Sequence, residues 1–349
     1  RELVDNAHAR NIRLIFDIEG NHWGSQHPTF QEAKQDPNSR YHSWYKWIEW
    51  PDEYWSFFAV QDLPEVDTQH PEVRDYLFRS ALFWLNDVGF DGLRLDYVLG
   101  PPRDFWTELR AVVKKANPDA WIFGEAVESP ETVLGYNGRF DGCLDFILAQ
   151  TLRDTFTVGV MDAPALDAFL HQHEAFFGCD LQRPSFLDNH DMDRFLLRAK
   201  GDVRRLKLAA LCLFTLRGQP ILYYGTEVGL SQNYSFHLSE SEGMAECRQP
   251  MRWGETQDEP LLAYFRWLIQ MRRDNPIIGQ QTRQTYHVNG ISNTLVYGYS
   301  DDKNGRLLAV ALTLRSEPQQ ISVTLPHLAA PHPFKLAPLS GDILTLSAN

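Results

Sequence analysis

Sulfur chemistry is scarce in this chain. Its 349 residues include four cysteines, Cys143, Cys179, Cys212 and Cys247, none in a Cys-x-x-Cys or other zinc-like spacing. That excludes a zinc ribbon and a dense disulfide framework. Cys143 and Cys212 lie in apolar segments and are expected as buried thiols, with a Cys179–Cys247 bridge as the minor alternative for the other two. Twelve histidines form no His-Glu-x-x-His and no closely spaced pair on a helix face. Glycine-rich phosphate loops are missing, and no serine or cysteine has the neighbouring base that would make it a nucleophile. Positive charge is in deficit: 33 Lys and Arg against 46 Asp and Glu leave a net charge of −13. Acids and bases are interspersed, which disfavours nucleic acid and anionic membrane surfaces and favours a neutral or small substrate. No apolar run approaches the ~20 residues that span a bilayer. There is no internal repeat or low-complexity tract. An initiating methionine and a signal segment are also lacking. Arg1 opens inside a helical pattern with Leu3, Val4 and Ala7 on one side, so the chain reads as N-terminally truncated. Its compartment is unread, with a lean to the cytoplasm, and its oligomeric state is unread as well.

Apolar and aromatic residues are abundant: 43% of the chain is hydrophobic, with 21 Phe, 13 Tyr and 10 Trp. That is enough for a large core, and most of the aromatics are assigned to packing. Short, nearly continuous apolar runs at 12–17, 90–96, 120–125, 140–146, 184–188 and 219–224 read as strands covered on both faces. Helical periodicity falls between them. After Pro71, residues Val73, Leu77, Ala81, Trp84, Leu85 and Val88 share a face, and Gly89 supplies the stop. After Pro101-Pro102, residues Phe105, Leu109, Val112, Val113 and Ala116 do the same, ending at Asn117-Pro118. Further helices start near Asp202 and near Pro260.

Strand–helix alternation predicts a parallel sheet with crossover helices. The expected fold class is α/β: a (β/α)8 TIM-type barrel lacking its first two strands in this chain. Residues 1–22 and 71–278 are assigned to the barrel. Residues 23–70, dense in Trp, Tyr, Pro and His, are assigned to a short subdomain inserted after the third strand. One or two aromatic residues of the tract 44–55 are expected to form sugar-stacking walls. Residues 279–349 show strand-like alternation and a hairpin signal at Asn304-Gly305, predicting a C-terminal β-sandwich-like domain.

Three strand-like runs end in a carboxylate: Asp96, Glu125 and, just past its strand, Asp191. A carboxylate in that setting is costly unless it has a partner or a task, and strand ends are where barrel active sites gather. Arg94 lies two residues before Asp96 on the same strand face, so it is expected to hold Asp96 ionised. Glu125 follows Gly124 and an apolar run, where desolvation favours the neutral acid. His190 and Asp191 together are suited to gripping hydroxyl groups. Such a pair of carboxylates fits glycoside hydrolysis with retention. The competing readings are a structural role as ion pairs or helix caps, and a metal site at Asn21 or at the Asp188/Asp191 pair.

These residues lie in strings that resemble the α-amylase family of retaining α-glycoside hydrolases, over nearly the whole chain. Asp17-Ile-Glu-Gly-Asn-His22 resembles its D-x-x-x-N-H motif and Gly92-Leu-Arg-Leu-Asp96 its nucleophile motif. Gly124-Glu125 resembles the acid motif and Phe186 to Asp191 the fourth. Leu63-Pro-Glu-Val-Asp67 resembles the string closing the inserted subdomain, and Gly218 to Glu227 the last-strand motif. The resemblance implies Asp96 as nucleophile, Glu125 as acid/base and Asp191 as the stabiliser that binds sugar hydroxyls. It implies substrate-binding or supporting roles for Asp17, His22, Arg94 and His190. Where the family often has Lys or His, three and four residues past the nucleophile, this chain has Leu99 and Gly100. Glu19 stands where a small apolar residue is usual. The implied activity is hydrolysis of α-glucosidic bonds in starch-derived or related oligosaccharides, leaning toward the neopullulanase, cyclomaltodextrinase and α-glucosidase side. No cofactor or resident metal is expected, calcium being the lesser alternative. The rival functions are transglycosylation (an α-glucanotransferase or sucrase-like enzyme) and a non-catalytic carbohydrate-binding or partner protein.

Overall fold

The computed structural model describes residues 1–178, 180–238 and 240–347, without the side chains of 238 and 240–243. These divide into two compact units, Arg1–Leu144 with Cys179–Gln182, and Asp145–Gly178 with Arg183–Asn349.

The first unit is built on a parallel sheet whose four strands run in chain order: β1 (Ile15–Glu19), β2 (Gly92–Asp96), β3 (Trp121–Gly124) and β4 (Gly142–Cys143). Three of them fall inside their predicted runs. β1 starts three residues later than the run 12–17 and extends to Glu19 because the first residues of the run have other partners. Ile12 N–H closes onto Ala7 O at the end of helix Glu2–His8, and Leu14 N–H donates to the Asp91 carboxylate at 2.7 Å. That helix buries Val4 and Ala7 but leaves Leu3 exposed.

Helix α1 (Pro71–Leu82) begins with the His70 side chain accepting from Glu72 N–H and continues as a π-helical turn to Val88. Gly89, at φ 100°, ends it in a left-handed conformation that costs glycine little. Val73, Leu77, Ala81 and Leu85 form its buried stripe. Helix α2 (Arg103–Ala116) buries Phe105, Trp106, Leu109 and Val113, whereas Ala116 at its end is exposed. Each helix carries the chain from one parallel strand back to the start of the next.

Residues 23–70 pack around Phe30, which is 1% exposed and lies edge-on to Tyr45 and Tyr54 and parallel to Trp47. Trp44 is buried against Trp23, Tyr41 and Tyr76. Much of the aromatic tract 44–55 is therefore a core, with Trp50 and Trp55 of the same tract left exposed. It has no helical or strand period because its rings converge from turns and a short ribbon, Trp47–Glu49 with Glu53–Tyr54.

The second unit contains the parallel pair β5 (Ser185–Phe186) and β6 (Pro220–Ile221). Its main helices are α3 (Phe146–Val158), α4 (Ala163–Phe177), α5 (Val203–Thr215) and α6 (Glu259–Asp274). The last two start at the expected places, capped by Asp202 and Asp258. α3 and α4 escaped the periodicity search, although each has an aspartate cap and a glycine stop. α3 is apolar on most sides and buries Leu148, Leu152, Phe156 and also Arg153.

Beyond them, β7 (Gln284–Asn289), β8 (Thr294–Asp301), β9 (Arg306–Thr313) and β12 (Gly341–Leu346) form an antiparallel sheet in the order β12-β9-β8-β7. A second, two-stranded sheet pairs β10 (Gln319–Val323) with β11 (His332–Leu336). The alternation expected for β8 and β9 does not hold, because both faces are covered. Leu295, Tyr297, Tyr299, Leu308, Val310 and Leu312 join the core formed by α3 to α6. Val296, Leu307, Ala309 and Ala311 pack on Val323, Leu325, Phe334 and Leu336. Tyr297 and Tyr299 both hydrogen-bond Thr215 at the end of α5, at 2.6 and 3.0 Å.

Cys143 and Cys212 are buried thiols, as expected; Cys247 is one too, which removes the bridge drawn to it, and Cys179 lies outside the described residues. No helix among the described residues is long and apolar enough to cross a membrane.

Candidate active site

In the first unit the predicted residues meet at one guanidinium. Arg94 sits mid-strand in β2 opposite Asp17 of β1, with Glu19 opposite Asp96 one step further on. Alternate strand residues face the same way, so Arg94 and Asp96 emerge together. Arg94 Nη1 donates to both oxygens of Asp17, at 2.7 and 2.9 Å, and to Asp96 Oδ1 at 2.6 Å. Arg94 Nη2 lies 2.8 Å from Glu125 Oε2. Glu125 follows β3, where its own N–H bonds Leu95 O and its carbonyl accepts from Val98 N–H.

The side chains of Arg94, Glu125 and Asp96 are 11%, 14% and 20% exposed, whereas Asp17 is 49% exposed. Burial opposes the charge on Arg94, but Glu125, Asp17 and Asp96 outweigh it and raise its pKa above the ordinary arginine value. Three carboxylates thus face one cation. Beside them, desolvation raises the pKa of Glu19, with Asp17 and Asp96 adding to it, although solvent reaches its side chain. The spacing connected Arg94 with Asp96 alone. Its contact with Glu125 adds an ion pair to the desolvated setting expected for that residue.

His22 is buried and lies flat on Phe57, ring centroids 4.3 Å apart. Desolvation lowers its pKa, partly opposed by Asp96 and Glu65, and its Nδ1 has no hydrogen-bond partner among the described residues. A neutral imidazole with a free ring nitrogen is suited to a hydroxyl group. Asn21 Nδ2 is likewise buried and unpartnered. Its Oδ1 rests on Gly100, where an added Cβ would stand 2.0 Å away. A side chain at position 100 is therefore excluded, which accounts for glycine there. A cavity of about 360 Å³ borders Gly100, lined also by Lys46, Asp67, Gln69, Arg103 and Tyr136. A cavity of about 750 Å³ in the second unit, beside Trp267 and Arg306, holds none of the predicted site residues.

In the second unit His190 and Asp191 are neighbours in space as in sequence. His190 Nε2 lies 2.9 Å from Asp191 Oδ2, and Arg248 Nη2 donates to Asp191 Oδ1 at 2.6 Å. Arg248 Nε also donates to His190 O at 2.9 Å. Burial would raise the Asp191 pKa, but His190 and Arg248 lower it below the ordinary aspartate value. Sequence reasoning missed Arg248, which is 57 positions away and in no periodic element that would aim it.

Asp188 is buried and fully engaged, accepting from Phe195 N–H at 3.0 Å and Thr226 Oγ1 at 2.8 Å. The Asp188/Asp191 pair is thus not a free donor pair for a metal. Leu99 and Gly100 bring no side-chain oxygen to the neighbourhood of Asn21, whose Oδ1 lies close to Gly100. Among the described residues no group of three or more His, Cys, Asp or Glu is arranged to hold a metal. Arg153, 2% exposed, donates to Leu187 O and to Asp193 O and so braces the segment carrying Asp188 to Asp191. Burial lowers its pKa to about 10.

The family model for the α-amylase catalytic domain matches residues 1–51 and 46–269. The chain is 35% identical over 284 residues to alpha-amylase 2 of Dictyoglomus thermophilum, covering 81% of this chain and 50% of that protein. It is 32% identical over 321 residues to a cyclomaltodextrinase of a Bacillus species, covering 89% and 56%. It is 31% identical over 337 residues to neopullulanase 2 of Thermoactinomyces vulgaris, covering 93% and 55%. The chain therefore spans about half the length of the curated relatives it matches. Among solved structures, it resembles the cyclic alpha-maltosyl-(1-->6)-maltose hydrolase of Arthrobacter globiformis in complex with maltose. There the TM-score is 0.87 at 27% identity, over 99% of this chain and 78% of that one.

Proposed function

This chain belongs to the α-amylase catalytic-domain family, and we propose that it carries out retaining hydrolysis of α-glucosidic bonds in oligosaccharides. Its fold class is the expected one, a TIM-type (β/α) barrel domain followed by antiparallel β-sheets. The observation that carries the reading is the shared guanidinium: Asp96 and Glu125, at the ends of adjacent parallel strands, are held by Arg94 through its two terminal nitrogens. That arrangement keeps the carboxyl groups within the span of one planar group and its two contacts. Retention requires them about 5–5.5 Å apart, whereas inversion needs room for a water between them, at about 6.5–9.5 Å.

Asp96, which accepts from Arg94 through Oδ1, attacks the anomeric carbon and forms the glycosyl–enzyme bond as the bond to the glycosidic oxygen breaks. Glu125 gives its proton to the departing glycosidic oxygen, then takes one from the water that cleaves the intermediate. In the sugar-free chain Glu125 lies against Arg94 Nη2 and the Tyr97 N–H. Asp17 shares the guanidinium and steadies it, while His22 offers a neutral ring nitrogen to a sugar hydroxyl. Asp191 and His190 take the roles of stabiliser and sugar ligand from their motif, Phe186 to Asp191.

The substrates proposed are maltooligosaccharides and related α-linked glucans. Asp96→Asn should abolish turnover of maltotriose while its binding, read by calorimetry, persists; unchanged turnover would remove Asp96 as nucleophile. NMR of the first-formed product should show the α-anomer, and the β-anomer would overturn retention.

A further inference from the structure

We propose that Phe58 is a substrate-stacking platform for the sugar unit next to the bond being cleaved, a role that presupposes the α-glucoside reading. Phe58 is 76% exposed, more than any other aromatic side chain among the described residues. Its backbone is left-handed (φ 47°, ψ 35°), and Ala59 follows with φ 61°. Neither is glycine, and for a bulky residue this conformation is an outlier that persists only where something compensates it.

Packing does not provide that compensation, because a ring left three-quarters in solvent forgoes most of the gain that burial gives a phenylalanine. The contacts of Phe58 instead orient it. Its ring is edge-on to Phe57 at 4.4 Å and to Tyr97 at 5.8 Å. Phe57 in turn covers His22, and Tyr97 directly follows Asp96, with its N–H 3.4 Å from Glu125 Oε2. Tyr97 is itself left-handed, at φ 40°. Three strained residues, two of them aromatic, thus converge beside the two carboxylates of the proposed reaction. The apolar C–H face of a pyranose is the partner that a flat, exposed ring at this place would cover.

The test compares two substrates with one and several sugar units, α-glucosyl fluoride and maltotriose, in the full chain and in Phe58→Ala, Phe58→Leu and Phe58→Trp. Stacking predicts that the ratio of kcat/KM for maltotriose to that for α-glucosyl fluoride falls about tenfold in F58A and F58L. Most of the change should appear in KM, and F58W should restore the ratio. Calorimetry of maltotriose on the Asp96→Asn background should show the same weakening of Kd on adding F58A. A ratio unchanged in F58A, or equally well supported by leucine, would overturn the role of Phe58 while leaving the α-glucoside reading in place. If the unsubstituted chain neither turns over nor binds maltotriose, that reading falls, and the stacking role with it.

Discussion

Replacing Arg94 by methionine removes the one cation that three carboxylates share. The side chain is 11% exposed and makes four contacts of 2.6 to 2.9 Å. Asp17 is half in water, so its share is that of a surface pair, about 0–1 kcal/mol. Asp96 and Glu125 are mostly buried, and leaving such groups unpaired costs about 3–5 kcal/mol. The expected loss for Arg94→Met is therefore about 3–5 kcal/mol, nearly all of it from the two buried partners. Asp17→Asn alone should cost no more than about 1 kcal/mol. Urea unfolding followed by tryptophan fluorescence at neutral pH reads both. Turnover of maltotriose should fall at least about 100-fold in Arg94→Met, because nucleophile and acid lose their common support. Arg94→Lys retains the charge but lacks the planar fork, so it should recover part of the stability and little of the activity. A loss below about 1 kcal/mol for Arg94→Met would show that the guanidinium does not hold the buried pair, and would refute the reasoning.

Glu19→Gln should stabilise the chain slightly at pH 7, by less than about 1 kcal/mol given its exposure. The folded state raises the pKa of Glu19, so its charged form is penalised at neutral pH. The gap to the parent should close as pH falls below the ordinary glutamate value, where both side chains are neutral; a gap that widens in acid would be the wrong sign. Arg248→Ala should move Asp191 upward toward the ordinary aspartate pKa, since one of its two stabilising partners is lost. Carboxyl NMR titration checks this. The associated stability is present above the unfolded pKa and lost as pH falls through the lowered folded value, and exposure keeps it small. Gly100→Ala should destabilise by about 1–3 kcal/mol, because the new methyl group would stand 2.0 Å from Asn21 Oδ1 and 2.4 Å from its Cγ; a neutral result in thermal unfolding would count against the close contact.

The sheet strands were legible because each lies in a short apolar run, most fully buried in β2, and their carboxylate ends stand out against that background. Arg94 and Asp96 were legible as a pair because a two-residue spacing on a strand fixes a common face. The Arg94–Glu125 contact was not, since it depends on the register between β2 and β3, which residue spacing does not encode. Arg248 and Phe58 were hidden for a related reason: both lie outside regular strands and helices, where no period aims a side chain. The packing of the tract 44–55 was hidden for the same reason: irregular backbone brings Tyr45, Trp47 and Tyr54 around Phe30 without any period in the sequence. Glu19 became intelligible only once the register set it opposite Asp96, among other acids.

The doubly covered strands β8 and β9 bear on how this polypeptide can be divided. A chain ending at residue 278 would keep α5 and α6 but strip from them Leu295, Tyr297, Tyr299, Leu308, Val310 and Leu312. Thr215 would lose both tyrosine hydroxyls, and a broad apolar face would open to water, the kind of surface that drives self-association. The C-terminal sheet is in that sense a wall of the helical core, and trimming it in search of a minimal enzyme would yield a sticky protein before a smaller one.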